Sequence, residues 1–167
     1  GAEIGWWSDD TRTELANTFG GSLTKFDSCV FYDFADNHIY HGGTRTRTGL
    51  VITNTAFNPI SVSPSSTCLN IDNVEGLELI GSGFAASVSN APAVQWLRAT
   101  NCTGNIHGNF IDDLAPAGQV GGILDISGNR FASTTGLTAL SGTITGKANE
   151  FSAGTSGWVI APTGDLS

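Results

Sequence analysis

The sequence predicts an all-β fold, a β-solenoid of about six coils, on three observations. Only 13% of the 167 residues are charged and 22 are glycine, a composition poor in helix formers and rich in turn and strand formers. Six of the nine phenylalanines recur at nearly constant intervals. Apolar and other residues alternate ahead of most of these phenylalanines, as they do in a strand with one buried face.

The recurring phenylalanines close a repeated phrase. They are Phe31, Phe57, Phe84, Phe110, Phe131 and Phe151, at intervals of 26, 27, 26, 21 and 20 residues. The phrase is an apolar residue, any residue, Gly or Asn, and a small polar residue. It occurs at 52–55, 79–82, 106–109, 126–129 and 144–147, with a weaker copy at 26–29. A unit of 20–27 residues repeated in this way indicates a solenoid.

Each repeat is predicted to contain two strands joined by a tight bend. Leu50 and Ile52, like Leu77 and Leu79, alternate with other residues, which places them on one buried face. The following Gly or Asn tolerates the positive φ of a tight bend, and the phenylalanine then begins a second strand facing inward. We therefore expect inner ladders of Phe57, Phe84 and Phe110, and of Ile52, Leu79, Ile106 and Ile126.

Two other folds fit the pattern less well. A β-sandwich has turns every 8–12 residues and does not need one phrase at a long constant period. Leucine-rich repeats require the phrase L-x-x-L-x-L with an Asn ladder in fixed register, which is absent. Because crossovers between parallel strands are right-handed, the predicted fold class is a right-handed single-stranded parallel β-helix over residues 23–151.

The flanking and intervening segments are assigned in chain order. Residues 1–22 are predicted to be an N-terminal cap or lead-in segment, with a short amphipathic cap over 11–23. Loops rich in Pro, Gly and Ser are predicted at 32–48, 58–68, 85–93 and 111–121. Residues 152–167 lie beyond the last phrase, and we expect this tail to leave the coils and contact neighbouring chains. We expect Trp6 and Trp7 to pack against the first coil or against a neighbouring subunit.

Charge and composition argue against several classes of function. Seven basic against fifteen acidic residues give a net charge of −8, so no basic surface is available to bind nucleic acid. No apolar run is long enough to span a membrane. Cys29, Cys68 and Cys102 are predicted to be free thiols rather than a disulfide framework. The histidines are too scattered to form a metal site, and no cofactor motif is found.

The phrases also resemble a known superfamily. L-x-I-x-x-x-x-F at 50–57, L-x-L-x-x-x-x-F at 77–84 and L-x-I-x-x-x-x-F at 124–131 are similar to those of the pectin-lyase-like right-handed parallel β-helices. The Gly, Ser, Thr and Asn content resembles that of bacteriophage tailspikes and tail fibres. The resemblance implies a homotrimer on the virion, outside the cell, that binds and often cleaves host surface polysaccharide. Pectate lyases carry calcium-binding aspartates and a catalytic arginine, and no Asp pair in adjacent coils of this sequence matches such a site.

Candidate site residues come from the outward side of the first predicted strand. The residue before each inward Ile or Leu points outward, which gives the row Lys25, Val51, Glu78, Asn105, Asp125 and Thr143. Glu78 and Asp125 would lie two coils apart, about 9–10 Å, near the separation of about 6.5–9.5 Å in inverting glycosidases. We treat them as a candidate catalytic pair with Asn105 as a substrate-binding residue. The alternative is that both are ordinary solvated carboxylates.

A second group of candidates lies at 32–41, where aromatic, acidic and histidine residues are concentrated. Tyr32, Tyr40 and His38 are candidate sugar contacts, because sugars stack on aromatic rings and bond to planar polar groups. The alternative is that Phe34 and Ile39 pack against the end of the coils and the other residues are solvated.

Two functions remain open. The first is a tail module that binds host polysaccharide without chemistry of its own. The second is a polysaccharide depolymerase, either a glycoside hydrolase or a lyase. About six coils form a stack of about 30 Å, which is short for a catalytic groove, so the sequence favours binding. A bacterial surface adhesin of similar fold would leave the same pattern.

Overall fold

A computed structural model describes residues 4–8, 23–32, 37–43, 46–58, 67–85, 95–112, 118–132, 137–151, 159–160 and 164–166. These residues form strands and contain no helix, so none that could span a membrane. The strands are β1 (Ile4–Ser8), β2 (Thr24–Asp27), β3 (Val30–Tyr32), β4 (Asn37–His41), β5 (Arg47–Thr53), β6 (Ala56–Asn58), β7 (Thr67–Asp72), β8 (Val74–Ile80), β9 (Gly83–Ala85), β10 (Gln95–His107), β11 (Phe110–Asp112), β12 (Gly118–Ser127), β13 (Arg130–Ala132), β14 (Leu137–Thr145), β15 (Glu150–Phe151), β16 (Val159–Ile160) and β17 (Gly164–Leu166).

The strands form two sheets, and every strand pair among the described residues is parallel. The first sheet has two branches. Its leading branch contains β1, β4, β7, the first parts of β10, β12 and β14, and β16. Its trailing branch contains β2, β5, β8, the later parts of β10, β12 and β14, and β17. The second sheet has the order β15-β13-β11-β9-β6-β3. The predicted all-β class with parallel strands is confirmed.

The chain visits these strands in a fixed order. From β4 onward, each repeat passes from the leading branch to the trailing branch and then to the second sheet. In the second sheet, Phe57 pairs with Phe84, and their rings stack with centroids 4.6 Å apart and an angle of 3°. The predicted neighbour relation between these two phenylalanines is therefore confirmed.

The prediction that Phe110 belongs to the inner phenylalanine ladder is wrong. Phe110 is 39% exposed, whereas Ile111 is fully buried and pairs with Phe84 and Phe131. The inward residue of the second sheet follows the inward residue of the trailing branch by five positions, as Ile106 and Ile111 show. The bend between the sheets has constant length, so it decides which side chain points inward, whatever the size of that side chain.

The bend is built the same way in each repeat. A residue with positive φ lies two positions before the first residue of each strand of the second sheet, at Ser28, Asn54, Gly81, Gly108, Gly128 and Ala148. The next residues form a polar column of Cys29, Thr55, Ser82, Asn109, Asn129 and Asn149. The Asn129 amide nitrogen donates to the Ile106 carbonyl at 2.9 Å, and its side-chain oxygen accepts from the Asn109 backbone N–H at 3.0 Å. The column thus bonds backbone groups that the bend would leave unpaired.

The leading branch was not predicted. Residues 37–41, 47–48, 67–68 and 118–121 lie in strands, so the loop predictions covering them are wrong. Ile39, Leu69 and Leu97 pair in register along this branch and are fully buried. Trp96 is also fully buried there, against the rings of Phe84 at 4.9 Å and Phe131 at 5.9 Å. The insertions between phrases therefore build a side of the core.

One apolar cluster joins side chains of both sheets. Burying a Leu, Ile or Phe side chain stabilises the fold by about 1.5–3 kcal/mol, so this shared core holds the two sheets together. Phe26, Phe31 and Phe151 pack against the cluster but are only partly buried, because they belong to the end strands of the described stack. Cys68 and Cys102 are buried and free, and Cys29 is half-buried and free.

The predicted termini are only partly described. The cap predicted at 11–23 lies outside the described residues apart from Leu23. Trp6 and Trp7 lie on β1, which pairs with β4. Within the predicted tail, β16 and β17 pair with β14, so these residues extend the first sheet, and the prediction that they leave it is wrong. The contact of the tail with neighbouring chains stays a prediction.

Candidate functional site

A row of outward side chains follows the trailing branch, one from each strand. The pairing register gives Lys25, Val51, Glu78, Asn105, Asp125 and Thr145. Their direction follows from alternation along each strand, since the next residues Leu79, Ile106 and Ile126 are fully buried. The predicted row is confirmed from Lys25 to Asp125.

The last predicted member of the row is wrong. Asp125 pairs with Thr145, whereas Thr143 pairs with Ile123. The sequence interpretation aligned the final phrase on Ile144. Counting back the constant five residues from Phe151 instead gives position 146 as the inward position. The phrase therefore begins two residues later than predicted.

Two hydrogen bonds hold the carboxylates of this row. The Asn105 side-chain amide donates to Glu78 Oε1 at 2.7 Å, which joins neighbouring strands through their side chains. The Ser127 hydroxyl donates to the Asp125 carboxylate on the same strand. Glu78 and Asp125 lie on the strands either side of Asn105, and two strand spacings place their backbones about 9–10 Å apart.

A second outward row, two residues further along each strand, adds groups that the sequence interpretation missed. His107 pairs with Ser127 in register and lies two residues after Asn105. The histidines are far apart in the sequence, which hides this position. Counting two residues on from each member of the first row finds His107 and Ser127. We call Glu78, Asn105, His107, Asp125 and Ser127 the polar grid.

The polar grid is suited to bind a polyhydroxylated ligand. All five side chains are half-buried, so they are accessible from one side while their strands fix their spacing. The carboxylates accept hydrogen bonds, the amide and hydroxyl both donate and accept, and the imidazole provides one of each when neutral. Asn105 occupies the row position between the two carboxylates and is bonded to one of them. This leaves less room for the sugar and attacking water that an inverting mechanism places between its carboxylates.

The other predicted sugar contacts do not join the grid. Tyr32 is 57% exposed on β3 of the second sheet, and Tyr40 is half-buried on β4 of the leading branch. His38 is only 2% exposed, with its ring centroid 5.7 Å from that of Phe57 and 6.3 Å from that of Phe31. The loop predicted over 32–48 is wrong at His38, because 37–41 form a strand that turns this side chain towards the core.

Within the described ranges, no group of three or more His, Cys, Asp or Glu side chains could hold a metal ion. No protein-family model, curated protein or solved structure matches this chain.

Proposed function

We propose that this chain is a module of a bacteriophage tail spike or tail fibre that binds host surface polysaccharide through the polar grid. The observation that carries the proposal is the in-register row Glu78–Asn105–Asp125 with the 2.7 Å bond from Asn105 to Glu78. Such a row offers alternating carboxylate and amide groups at intervals of about 4.8 Å. A chain of sugar hydroxyls is the kind of ligand that can meet these groups repeatedly.

The proposal includes a fold: the two branches and the second sheet form the faces of a right-handed parallel β-helix of about six coils. Three features support this fold. The chain visits the three strand sets in one order, all three contribute to one core, and six strands are paired in the second sheet. The hand follows from the crossover rule for parallel strands.

Charge supports a glycan over a polyanionic ligand. The net charge is −8, and two of the five grid side chains are carboxyl groups. Phosphate-rich ligands would be repelled, whereas neutral hydroxyl groups hydrogen-bond well to carboxylates. Placement on the outside of a virion and assembly as a homotrimer follow from the resemblance to tailspikes and belong to the same proposal.

Binding without cleavage is the preferred form of this function. The alternative is a glycoside hydrolase or lyase that uses Glu78 and Asp125, and the observation in its favour is their shared row. The side chain of Asn105 lies in the row between them and its bond to Glu78 holds that carboxylate. This arrangement serves hydrogen bonding to a ligand better than attack by a water molecule between two carboxylates.

The test combines a binding assay with a cleavage assay on the same variants. Glu78→Gln, Asn105→Ala and Asp125→Asn are titrated with oligosaccharides from bacterial capsule and lipopolysaccharide, and reducing ends are measured in parallel. Glu75→Gln is the matched control, because Glu75 lies on the same strand and is exposed. We expect each grid variant to lose affinity by about tenfold or more, since a hydrogen bond to a charged group contributes about 1.5–3 kcal/mol.

Two outcomes decide between the forms of the function. Release of reducing ends by the wild type that is lost in Glu78→Gln would establish the depolymerase. Equal affinities for the wild type and all three grid variants would remove the grid as the binding surface.

A further inference from the structure

The second sheet carries an outward row in the same repeats as the polar grid. Its members are Val30, Ala56, Gly83, Phe110, Arg130 and Glu150. Phe110 is 39% exposed, and the guanidinium carbon of Arg130 lies 5.5 Å from the centre of its ring. Arg130 is also 4.0 Å from the Glu150 carboxylate. A cation over one ring face leaves the other face directed towards the next strand, which carries Gly83.

Gly83 leaves a gap beside that ring. A Cβ atom placed on Gly83 would have no heavy atom within 4 Å beyond its chain neighbours. Its φ lies outside the left-handed region, so the backbone would accept a larger residue. The next member of the row, Ala56, is exposed. We call the space over Gly83, between Ala56 and Phe110, the stacking slot.

One exposed position of the bend between the slot and the grid carries no side chain in three repeats. The positive-φ positions of the three central repeats are Gly81, Gly108 and Gly128, all exposed. We call these three residues the bare corner. The same position is Ser28, Asn54 and Ala148 in other repeats, with φ between 51° and 55°. The backbone therefore accepts side chains here, and glycine occurs in the three repeats that carry the grid.

The geometry points to a second sugar subsite: the stacking slot binds a pyranose ring of the same glycan that contacts the polar grid, across the bare corner. This inference rests on the proposed glycan-binding function and extends it to the second sheet. The apolar C–H face of a sugar ring packs on Phe110, and the backbone of Gly83 allows the ring to approach the sheet closely.

The dimensions of the slot fit one ring. Ala56 and Phe110 are two strands apart, so their backbones are separated by about 9–10 Å. Carbon atoms in contact are about 3.5–4.0 Å apart. One flat ring that contacts Ala56 on one face and Phe110 on the other needs about twice that distance, about 7–8 Å, which the gap provides. A second ring would not fit beside it.

Arg130 acts as a positioning residue. Its guanidinium packs on the Phe110 ring face remote from the slot in a cation–π contact. This contact limits the rotation of Phe110 and holds the open face towards Gly83. A ring that is already ordered loses less entropy when the sugar binds.

The experiment uses the whole chain and an array of neutral, N-acetylated and uronic-acid oligosaccharides of two to eight sugar units, with the strongest probe then titrated. Phe110→Ala removes the stacking surface, Gly83→Val fills the slot, and Gly108→Asn blocks the bare corner. The matched control for the last variant is Ala148→Asn, at the same position of another repeat. Thermal unfolding of every variant checks that the fold is kept.

We expect each slot or corner variant to bind the longer oligosaccharides at least about tenfold more weakly, and Ala148→Asn to bind as the wild type does. Disaccharides, which reach only the grid, should lose little affinity. Unchanged binding of folded Gly83→Val and Phe110→Ala, with binding still lost in Asn105→Ala, would overturn the slot and leave the proposed function standing. Equal losses for disaccharides and octasaccharides would also overturn the slot. Absence of binding to any probe would overturn both proposals.

Discussion

At the scale of single residues, the side chains of the polar column stabilise the bend by bonding its backbone groups. Asn129 is fully buried, and its amide nitrogen donates to the carbonyls of Ile106 at 2.9 Å and Ser127 at 3.2 Å. Its oxygen accepts from both the backbone and the side chain of Asn109. An amide side chain has both donors and an acceptor, so it can bond all of these groups, whereas a shorter residue such as Ser82 bonds fewer of them.

Replacement of Asn129 by alanine should therefore cost more than an ordinary surface substitution. We expect Asn129→Ala to lower the free energy of unfolding by about 2–4 kcal/mol, because several buried backbone groups lose their partners at about 1–3 kcal/mol each. Urea denaturation followed by circular dichroism measures the change. Asn105→Ala is the control: Asn105 is half-buried and one hydrogen bond ties it to Glu78, so its loss should stay near 1 kcal/mol. Equal losses for the two variants would contradict this account of the column.

The buried thiols predict the response to alkaline pH. Burial raises the pKa of Cys68 to about 12 and that of Cys102 to about 11, against 9.0 for an ordinary thiol. The folded state holds these protons more tightly than the unfolded state, so stability falls as the pH rises from about 9 towards those values. We expect the Cys68→Ala, Cys102→Ala double variant to show a smaller fall between pH 8 and 11 in denaturant titrations.

Thiol labelling provides an independent check on the same burial. At pH 8 a disulfide reagent should label Cys29 rapidly in the native protein, and all three thiols only in denaturant. Rapid native labelling of Cys68 or Cys102 would contradict the buried positions of both.

At the scale of strands, the length of the bend decides which side chains enter the core. Ile111 is buried and Phe110 is exposed, although phenylalanine is the larger apolar residue and recurs in the other repeats. We expect Ile111→Ala to cost about 2–5 kcal/mol through lost packing and a cavity, and Phe110→Ala to cost less than about 1 kcal/mol. Thermal or urea unfolding of the two variants measures this, and a larger loss for Phe110→Ala would reverse the assignment.

Two glycines differ in how closely the neighbouring strand approaches them, which gives a second prediction at the scale of strands. A Cβ on Gly104 would lie 2.0 Å from the Leu77 carbonyl oxygen, and its φ is +141°. Gly83 has open space at the same atom. Gly104→Ala should therefore destabilise the protein by several kcal/mol, about 3 or more, and Gly83→Ala should change stability by less than about 1 kcal/mol. Comparable melting temperatures for the two variants would show that the trailing branch can widen at Gly104.

Alternation along each strand and the constant interval of five residues across the bend explain how far the sequence predicted the fold and the site. The period-2 pattern identified the trailing strands, and with them the row from Lys25 to Asp125. It failed at Phe110 and Thr143, because residue type was weighed above the constant interval across the bend. The leading branch was missed because its strands follow inserted segments of changing length, which hide the period. His107 and Ser127 were missed because their proximity depends on pairing between strands.

At the scale of the whole molecule, the described strands stack in one direction and leave different surfaces at the two ends. Within the described ranges, β2 pairs only with β5 and β3 only with β6, so both have an edge without a strand partner. Leu23, Val30 and Tyr32 on or beside these strands are 64%, 71% and 57% exposed. Open strand edges with apolar side chains favour association with another chain, so this end is where we expect subunits to meet.

The homotrimer is tested most directly by mass in solution. Light scattering at micromolar concentration should give about three times the chain mass of 17.3 kDa. Val30→Lys should lower that mass towards the monomer, because a lysine in the contact would bury a charge without a partner. Ile123→Lys is the control: Ile123 is similarly exposed at 66%, but it lies on β12, away from the β2–β3 end, so the oligomer should persist. A monomeric wild type would reject the trimer, and dissociation by Ile123→Lys alone would move the subunit contact from the end of the stack to the outward face of the trailing branch.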